Sequence, residues 1–171
     1  MRKIIAVDVD LTVVDSVTPW VNWYQKLTGH DIIDEINNTE WNVDKLMHFH
    51  NSPMDFWKQP DLYDNLEPIP EAKIALDELS KSRDIIFVSS CYPEHIKSKE
   101  FFLRRNFPYH KAFIDAHFKG FTRCDYMIDD YLKNLEQFPD SVKTFHLQSA
   151  INKNITNITW FDILKEIKGE K

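Results

Sequence analysis

The apolar residues of this chain change their period along its length, and the changes divide it. Lys3-Ile-Ile-Ala-Val7 is a short unbroken apolar run, the pattern of a strand buried on both faces. Trp20, Trp23, Tyr24 and Leu27 then recur at helical spacing. That helix starts at Ser16-Val-Thr-Pro19, with proline in the first turn, and stops at Gly29. From Asp31 to Asn42 the sequence is polar and irregular, and a short helix is expected over about 43–49. Ser52-Pro53-Met-Asp55 reads as another capped start, covering Phe56 and Trp57.

From Leu66 onward helical and strand periods alternate. Pro70 opens a helix whose inner face is Ala72, Ala75, Leu76 and Leu79. Asp84-Ile-Ile-Phe-Val88 is a buried strand that ends in Ser89-Ser90. Pro93 opens a helix that must stop before Pro108. His110 to Ile114 is a weak strand, Tyr126-Met-Ile128 a short apolar one ending in Asp129-Asp130, and Val142 to Leu147 alternates. Thr159 caps a last helix that runs through Ile167 to Gly169. Strands alternating with helices imply an α/β fold, a parallel sheet joined by right-handed crossovers. The aromatic, helical stretch 17–67 interrupts that alternation after the first strand. It is expected to be a small helical cap inserted into a core made of 1–16 and 68–171.

Length and composition narrow the function. At 171 residues the chain is one domain, or one domain carrying a modest insert, and 43% hydrophobic residues suffice for a real core. A net charge of -6 and a pI near 5.6 argue against long nucleic acid, which requires a basic face. A small anion stays compatible if a metal and a lysine or two supply positive charge locally. The first apolar run is too short for a signal peptide, and no segment has the length of a membrane span. Cys91 and Cys124 are then expected as reduced thiols in a cytoplasmic protein. The N-x-T triplets at Asn37, Asn154 and Asn157 are accordingly read as chance matches. A homodimer is left open. His48 and His50 flank Phe49 with no third nitrogen or sulfur ligand nearby, so they read as surface histidines rather than a metal site.

The chemistry lies where the apolar strands end. Asp8 and Asp10 close the first, Ser89 and Ser90 the second, and Asp129 and Asp130 a later one. In a parallel sheet these ends share one edge, where ligands bind. Unpaired buried carboxylates are costly, so such a cluster normally faces a cation or a reacting group. Lys119, ten residues before Asp129, is a candidate cation from the preceding loop. Two carboxylates, a hydroxyl, an ammonium and an acidic pair that suits Mg2+ are what phosphoryl transfer requires. A phosphorylated receiver domain uses similar groups in a different chain order, and a catalytically dead binding protein is disfavoured by the presence of both Asp8 and Asp10.

These residues also carry a resemblance. Asp8-Val-Asp-Leu-Thr12 resembles the DxDxT motif of the haloacid dehalogenase superfamily, and Ser89, Lys119 and Met127-Ile-Asp-Asp130 resemble its later motifs in the same order. Leu66-Glu-Pro-Ile-Pro-Glu-Ala72, the spacing from Lys119 to the acidic pair, and the late Ile158-Thr-Trp-Phe-Asp-Ile-Leu164 are similar to the 5'(3')-deoxyribonucleotidases. The likeness covers nearly the whole chain, the cap only loosely. Leu11 stands where that family usually has Gly, and Ser89-Ser90-Cys91 replaces its Thr-Ser-Pro.

The resemblance implies a Rossmann-like core and a Mg2+-dependent phosphatase for nucleoside monophosphates, with other small phosphate esters as the alternative substrates. It implies Asp8 as nucleophile, Asp10 as acid and base, and Ser89, Ser90 and Lys119 on the phosphate. Asp8, the Asp10 carbonyl and Asp130 would hold the metal, with Asp129 as alternate or outer ligand. Among the cap aromatics, Trp57 and Trp41 are the candidates for the base. Trp20, Trp23 and Tyr24 are expected in the cap's own core.

Overall fold

The structure, a computed structural model, describes residues 2–29, 32 and 53–170. Five parallel strands form one sheet in the order β3-β2-β1-β4-β5. They are β1 (Ile4–Val7), β2 (Asp84–Ser89), β3 (Ala112–Asp115), β4 (Tyr126–Asp129) and β5 (Lys143–His146). β1 lies in the middle, with Ile4–Val7 in register with Asp84–Phe87 on one side and Ile5–Val7 with Tyr126–Ile128 on the other. Strands flanked on both sides must be apolar throughout, which is why β1, β2 and β4 are the runs the sequence made plain. The chain winds outward through β2 and β3, then returns across β1 to β4. The reversal therefore opens a crevice between the carboxyl ends of β1 and β4. Receiver domains use the order 2-1-3-4-5, so the sheet sets that alternative aside.

The helices are α1 (Val17–Thr28), α2 (Pro70–Leu79), α3 (Ile96–Asn106), the single turn α4 (Leu132–Leu135) and α5 (Trp160–Gly169). α1 begins where expected, but its capping group is Asp15, not Ser16: Asp15 Oδ1 accepts from the N–H groups of Val17 at 3.1 Å and Thr18 at 3.0 Å. Gly29 ends it at φ 77°, its N–H donating to Gln25 O. The helix expected from Pro93 splits into a 3-10 turn (Pro93–His95) followed by α3, which stops short of Pro108. Thr159 and Asp162 cap α5 reciprocally. Phe56 and Trp57 sit on a 3-10 turn (Pro53–Lys58). The helix expected over 43–49, with His48, His50 and Trp41, lies outside the described residues.

Side chains alternate across the sheet. Ile5, Val7, Ile85, Phe87, Tyr126, Ile128 and Phe145 share one apolar cluster with residues of α1, α2, α3 and α5. Ala6, Ile86, Val88 and Met127 form a smaller cluster with Leu135 of α4. Trp20, Tyr24, Phe56, Leu62 and Tyr63, all within 17–67, belong to the larger cluster. The two crossings that lead into and out of this segment are tied together, Val14 bridging Pro68 and Ile69 N–H donating to Val13 O at 2.8 Å. No helix among the described residues is long and apolar enough to cross a membrane.

Candidate active site

The site begins one residue past β1. Asp8 N–H donates to Ile128 O of β4 at 2.9 Å, so the ladder continues up to the first carboxylate. The chain then turns sharply, Leu11 N–H reaching Val14 O at 2.8 Å and Val13 N–H reaching Val9 O at 2.9 Å. The turn places Leu11 at φ 59°, the left-handed region that suits glycine. Its far end is anchored by α5, where the Trp160 indole Nε1 donates to Thr12 O at 3.0 Å. The Thr12 hydroxyl in turn donates to Asp8 Oδ2 at 3.3 Å.

Two lysines divide the carboxylates between them. Lys119 Nζ, buried, donates to Asp8 Oδ1 and, at 2.8 Å, to Asp129 Oδ2. Its backbone is fixed from α4's side: Gln137 Oε1 accepts from Lys119 N–H at 2.7 Å. A Cβ at Gly120 would lie 2.4 Å from Gln137 O, so only glycine permits that approach. Asp129 is further held by Tyr131 N–H at 2.9 Å and by Asn134 Nδ2. The second lysine is Lys99 of α3, which is 0% exposed. It donates to Asp10 Oδ2 at 2.7 Å and Ser89 Oγ at 2.9 Å, while the Tyr63 hydroxyl donates to Asp10 Oδ1 at 2.7 Å. Ser89 and Asp10 are 3.5 Å apart. Ser90 is exposed and shares a 2.5 Å hydrogen bond with His117 Nδ1.

All the strand-end residues expected to act together, apart from Asp129, line one cleft of about 300 Å³. Its wall holds Asp8, Asp10, Ser89, Ser90, Lys119 and Asp130, together with Trp57, His117, Tyr131 and Asn134. Asp129 sits behind, fully buried among its donors.

Burial pushes the Asp8 carboxyl up; Lys119 opposes this and Asp129 and Asp10 add to it, leaving it at about 7. Burial also drives Asp130 well above the usual carboxylate range, reinforced by Asp129 and Asp8. Burial would raise Asp10 too, but there the Lys99 ammonium and the Lys99 and Tyr63 hydrogen bonds prevail and hold it low. The protein's own groups thus favour a proton on Asp8 over one on Asp10, the reverse of what the roles expected from the sequence, nucleophile for Asp8 and acid for Asp10, would need. Positive charge beside Asp8 and a phosphate beside Asp10 would each correct the order. Oxygens of Asp8, Asp129 and Asp130 lie within 4.8 Å of one another, and among the described residues Lys119 is the one cation paired with this trio. A carboxylate trio with a single lysine fits a hard divalent cation.

The sequence reading did not find Lys99, Tyr63, His117 or Asn134. Lys99 had a signal: it stands three and four residues before Phe102 and Leu103, so it shares their buried face. Tyr63 lies in a turn without periodicity.

Comparison with known proteins gives the family and the fold. A 5'(3')-deoxyribonucleotidase of Bacillus subtilis (strain 168) is 27% identical over 176 residues, covering 98% of this chain and 99% of the relative. One from Clostridium acetobutylicum is 24% identical over 94% of this chain and 92% of its own. Among solved structures, a haloacid dehalogenase-like hydrolase from Streptococcus pneumoniae superposes with a TM-score of 0.66 at 10% identity, over 97% of this chain and 98% of that one. A haloacid dehalogenase hydrolase of Bacillus subtilis, solved bound to magnesium, gives 0.57 at 13% identity over 98% and 97%. The profile of one family spans residues 2–168, and this chain, a phosphoric monoester hydrolase, belongs to it: 5' nucleotidase, deoxy (pyrimidine), cytosolic type C.

Proposed function

We propose that the chain is a Mg2+-dependent nucleotidase that hydrolyses nucleoside monophosphates, deoxyribonucleotides foremost, through an aspartyl-phosphate. The observation that carries this reading is the convergence of Asp8, Asp10, Ser89, Lys119 and Asp130 on one cleft from the ends of different elements. The family and the curated relatives supply the substrate class.

In this reading an oxygen of Asp8 attacks phosphorus as the bond to the sugar oxygen breaks, and Asp10 gives that oxygen its proton. Asp10 then takes a proton from the water that attacks the phosphoaspartate, and Asp8 leaves with its carboxylate restored. Ser89 and Lys119 hold phosphate oxygens, with Ser90 at the rim. Asp8, the Asp10 carbonyl and Asp130 would hold Mg2+, which when bound offsets the negative charge that phosphate brings to this acidic site. Asp129 stands behind them, because its oxygens are engaged by Lys119, Tyr131 and Asn134. Segment 17–67 acts as the cap that selects the substrate, and Trp57, on the cleft wall, stacks on the base.

The test is a panel of 5' and 3' deoxyribo- and ribonucleoside monophosphates with Mg2+ and with chelator, for the parent and for Asp8→Asn. We expect turnover that needs Mg2+, favours deoxyribonucleotides and falls by many orders of magnitude in a folded Asp8→Asn protein. Asp8→Asn turnover at a tenth of the parent rate would overturn the nucleophile. Turnover of other phosphate esters but no nucleotide would overturn the substrate class alone.

A further inference from the structure

Lys99 has no part in the chemistry described so far, yet its surroundings are unusual. A fully buried ammonium is costly unless it is held by charge and hydrogen bonds together. Two of its partners, Asp10 at 2.7 Å and Ser89 at 2.9 Å, belong to the catalytic set, and the Cys91 thiol lies against it as well. Its ammonium also lies 4.9 Å from the centre of the Tyr63 ring, and Tyr63 donates to the other Asp10 oxygen. Each carboxylate oxygen of Asp10 therefore has its own fixed donor. Lys99 itself is 0% exposed and does not line the cleft. An ammonium only donates, so Ser89 Oγ accepts from it, and the serine proton is left for another acceptor.

We infer that Lys99 is a positioning residue for the acid–base group: with Tyr63 it locks the Asp10 carboxyl in the orientation from which the leaving oxygen is protonated, without itself touching phosphate. A carboxyl on a short side chain in an open cleft has two free torsions. Fixing both oxygens removes that freedom before substrate arrives, which is how orientation lowers a barrier. The division of labour is then plain. Lys119 faces the nucleophile and the cleft, whereas Lys99 approaches Asp10 from behind.

This inference rests on phosphate-ester hydrolysis at the site and not on a nucleotide being the substrate, so its test uses generic esters. Phenyl phosphate has a poor leaving group that needs the acid; 2,4-dinitrophenyl phosphate has a good one that does not. kcat/KM, which reports the phosphoryl-transfer step, is measured with Mg2+ for Lys99→Met, Tyr63→Phe, Asp10→Asn and Lys99→Met/Asp10→Asn. Inhibition by inorganic phosphate is measured alongside. Lys99→Met is expected to lose about 10²-fold on phenyl phosphate, and much less on the dinitrophenyl ester. In the Asp10→Asn background the loss on phenyl phosphate should shrink at least tenfold, and the inhibition constant for phosphate should stay within a few-fold of the parent. Tyr63→Phe, which leaves no buried charge unpaired, should show a smaller loss with the same leaving-group dependence, and it carries the test if Lys99→Met fails to fold. Equal losses on both esters, or undiminished losses beside Asp10→Asn, would overturn the positioning role. Weakened phosphate inhibition with the Asp10-dependent step intact would make Lys99 a phosphate ligand instead. A parent inert on both esters and on deoxyribonucleoside monophosphates alike would refute the proposed reaction, and this inference with it.

Discussion

Leu11 offers a sharp test of the loop that presents Asp8 and Asp10. It is the one non-glycine residue among the described positions with positive φ, at 59°. For an L-residue this region costs roughly 1–2 kcal/mol, a penalty that any Cβ incurs and glycine escapes. Leu11 is 8% exposed and part of the main apolar cluster, so simple truncation confounds this strain with lost packing, about 2–5 kcal/mol for Leu→Ala. Comparing alanine with glycine at the same position removes most of the packing loss. Comparing that pair with Ala and Gly at Val13, buried in the same loop without positive φ, largely removes the methyl burial and the unfolded-state entropy of glycine as well. The four variants Leu11→Ala, Leu11→Gly, Val13→Ala and Val13→Gly are unfolded in urea with chelator present, so that no bound ion shifts the equilibrium. The Ala-minus-Gly difference should move in favour of glycine by about 1–2 kcal/mol at position 11 relative to position 13. Equal differences at the two positions would mean that the left-handed turn, and with it the placement of Asp10, is wrong.

Other expectations follow from the same geometry. Trp57→Ala should raise KM for a nucleotide about tenfold or more, the loss of one stacking contact, while hydrolysis of a small aryl phosphate stays near the parent rate; a parallel fall in both would make Trp57 a packing residue against Trp20 and Phe56. Gly120→Ala should lower kcat by an order of magnitude or more with the fold intact, because the new methyl would drive the Lys119 turn off Gln137; an unchanged rate would show that the turn has room to move. Asp8 at about 7 lies above its ordinary value of 3.8, so the folded chain holds a proton that the unfolded chain has lost, and its contribution to stability falls as pH rises from about 4 through 7. At the proposed metal site Mg2+ would bind the deprotonated carboxylates, so the rise in Tm that it produces should be larger at pH 8 than at pH 5.5; equal increments at both pH values would exclude Asp8 from the metal site.

What the sequence made legible was what buried backbone demands. Central parallel strands are apolar without interruption, so β1, β2 and β4 stood out, and the polar residues ending them had to lie at the sheet edge. Lys119 was legible through spacing to Asp129 and through resemblance, since nothing local marks it. Lys99 was passed over because α3 was read for its apolar positions, and a lysine on that face does not fit an apolar pattern even when it is 0% exposed. Tyr63 and the left-handed Leu11 sit in turns, where no period exists to read. The Asp15 cap was hidden by Ser16, an equally good capping residue one step later.

The charges of the site explain why a lysine should be spent behind Asp10 at all. Asp8, Asp129 and Asp130 are buried, and 27% of the Asp10 side chain is exposed. Against these four carboxylates stand, among the described residues, two buried ammonium groups, each donating to a different member of the DxD pair. If both lysines faced the cleft they would bind phosphate strongly in substrate and product alike, and uniform binding does not speed the chemical step. Placing Lys99 behind Asp10 spends its charge on geometry, leaving Lys119, the serine hydroxyls and the metal expected beside Asp8 to meet the phosphate. In the proposed reading a divalent cation offsets the acidic balance that remains before a phosphate dianion approaches. Substrate binding and metal binding should therefore be coupled, each tightening the other by the same factor. Titration of inorganic phosphate with and without Mg2+ measures that factor directly.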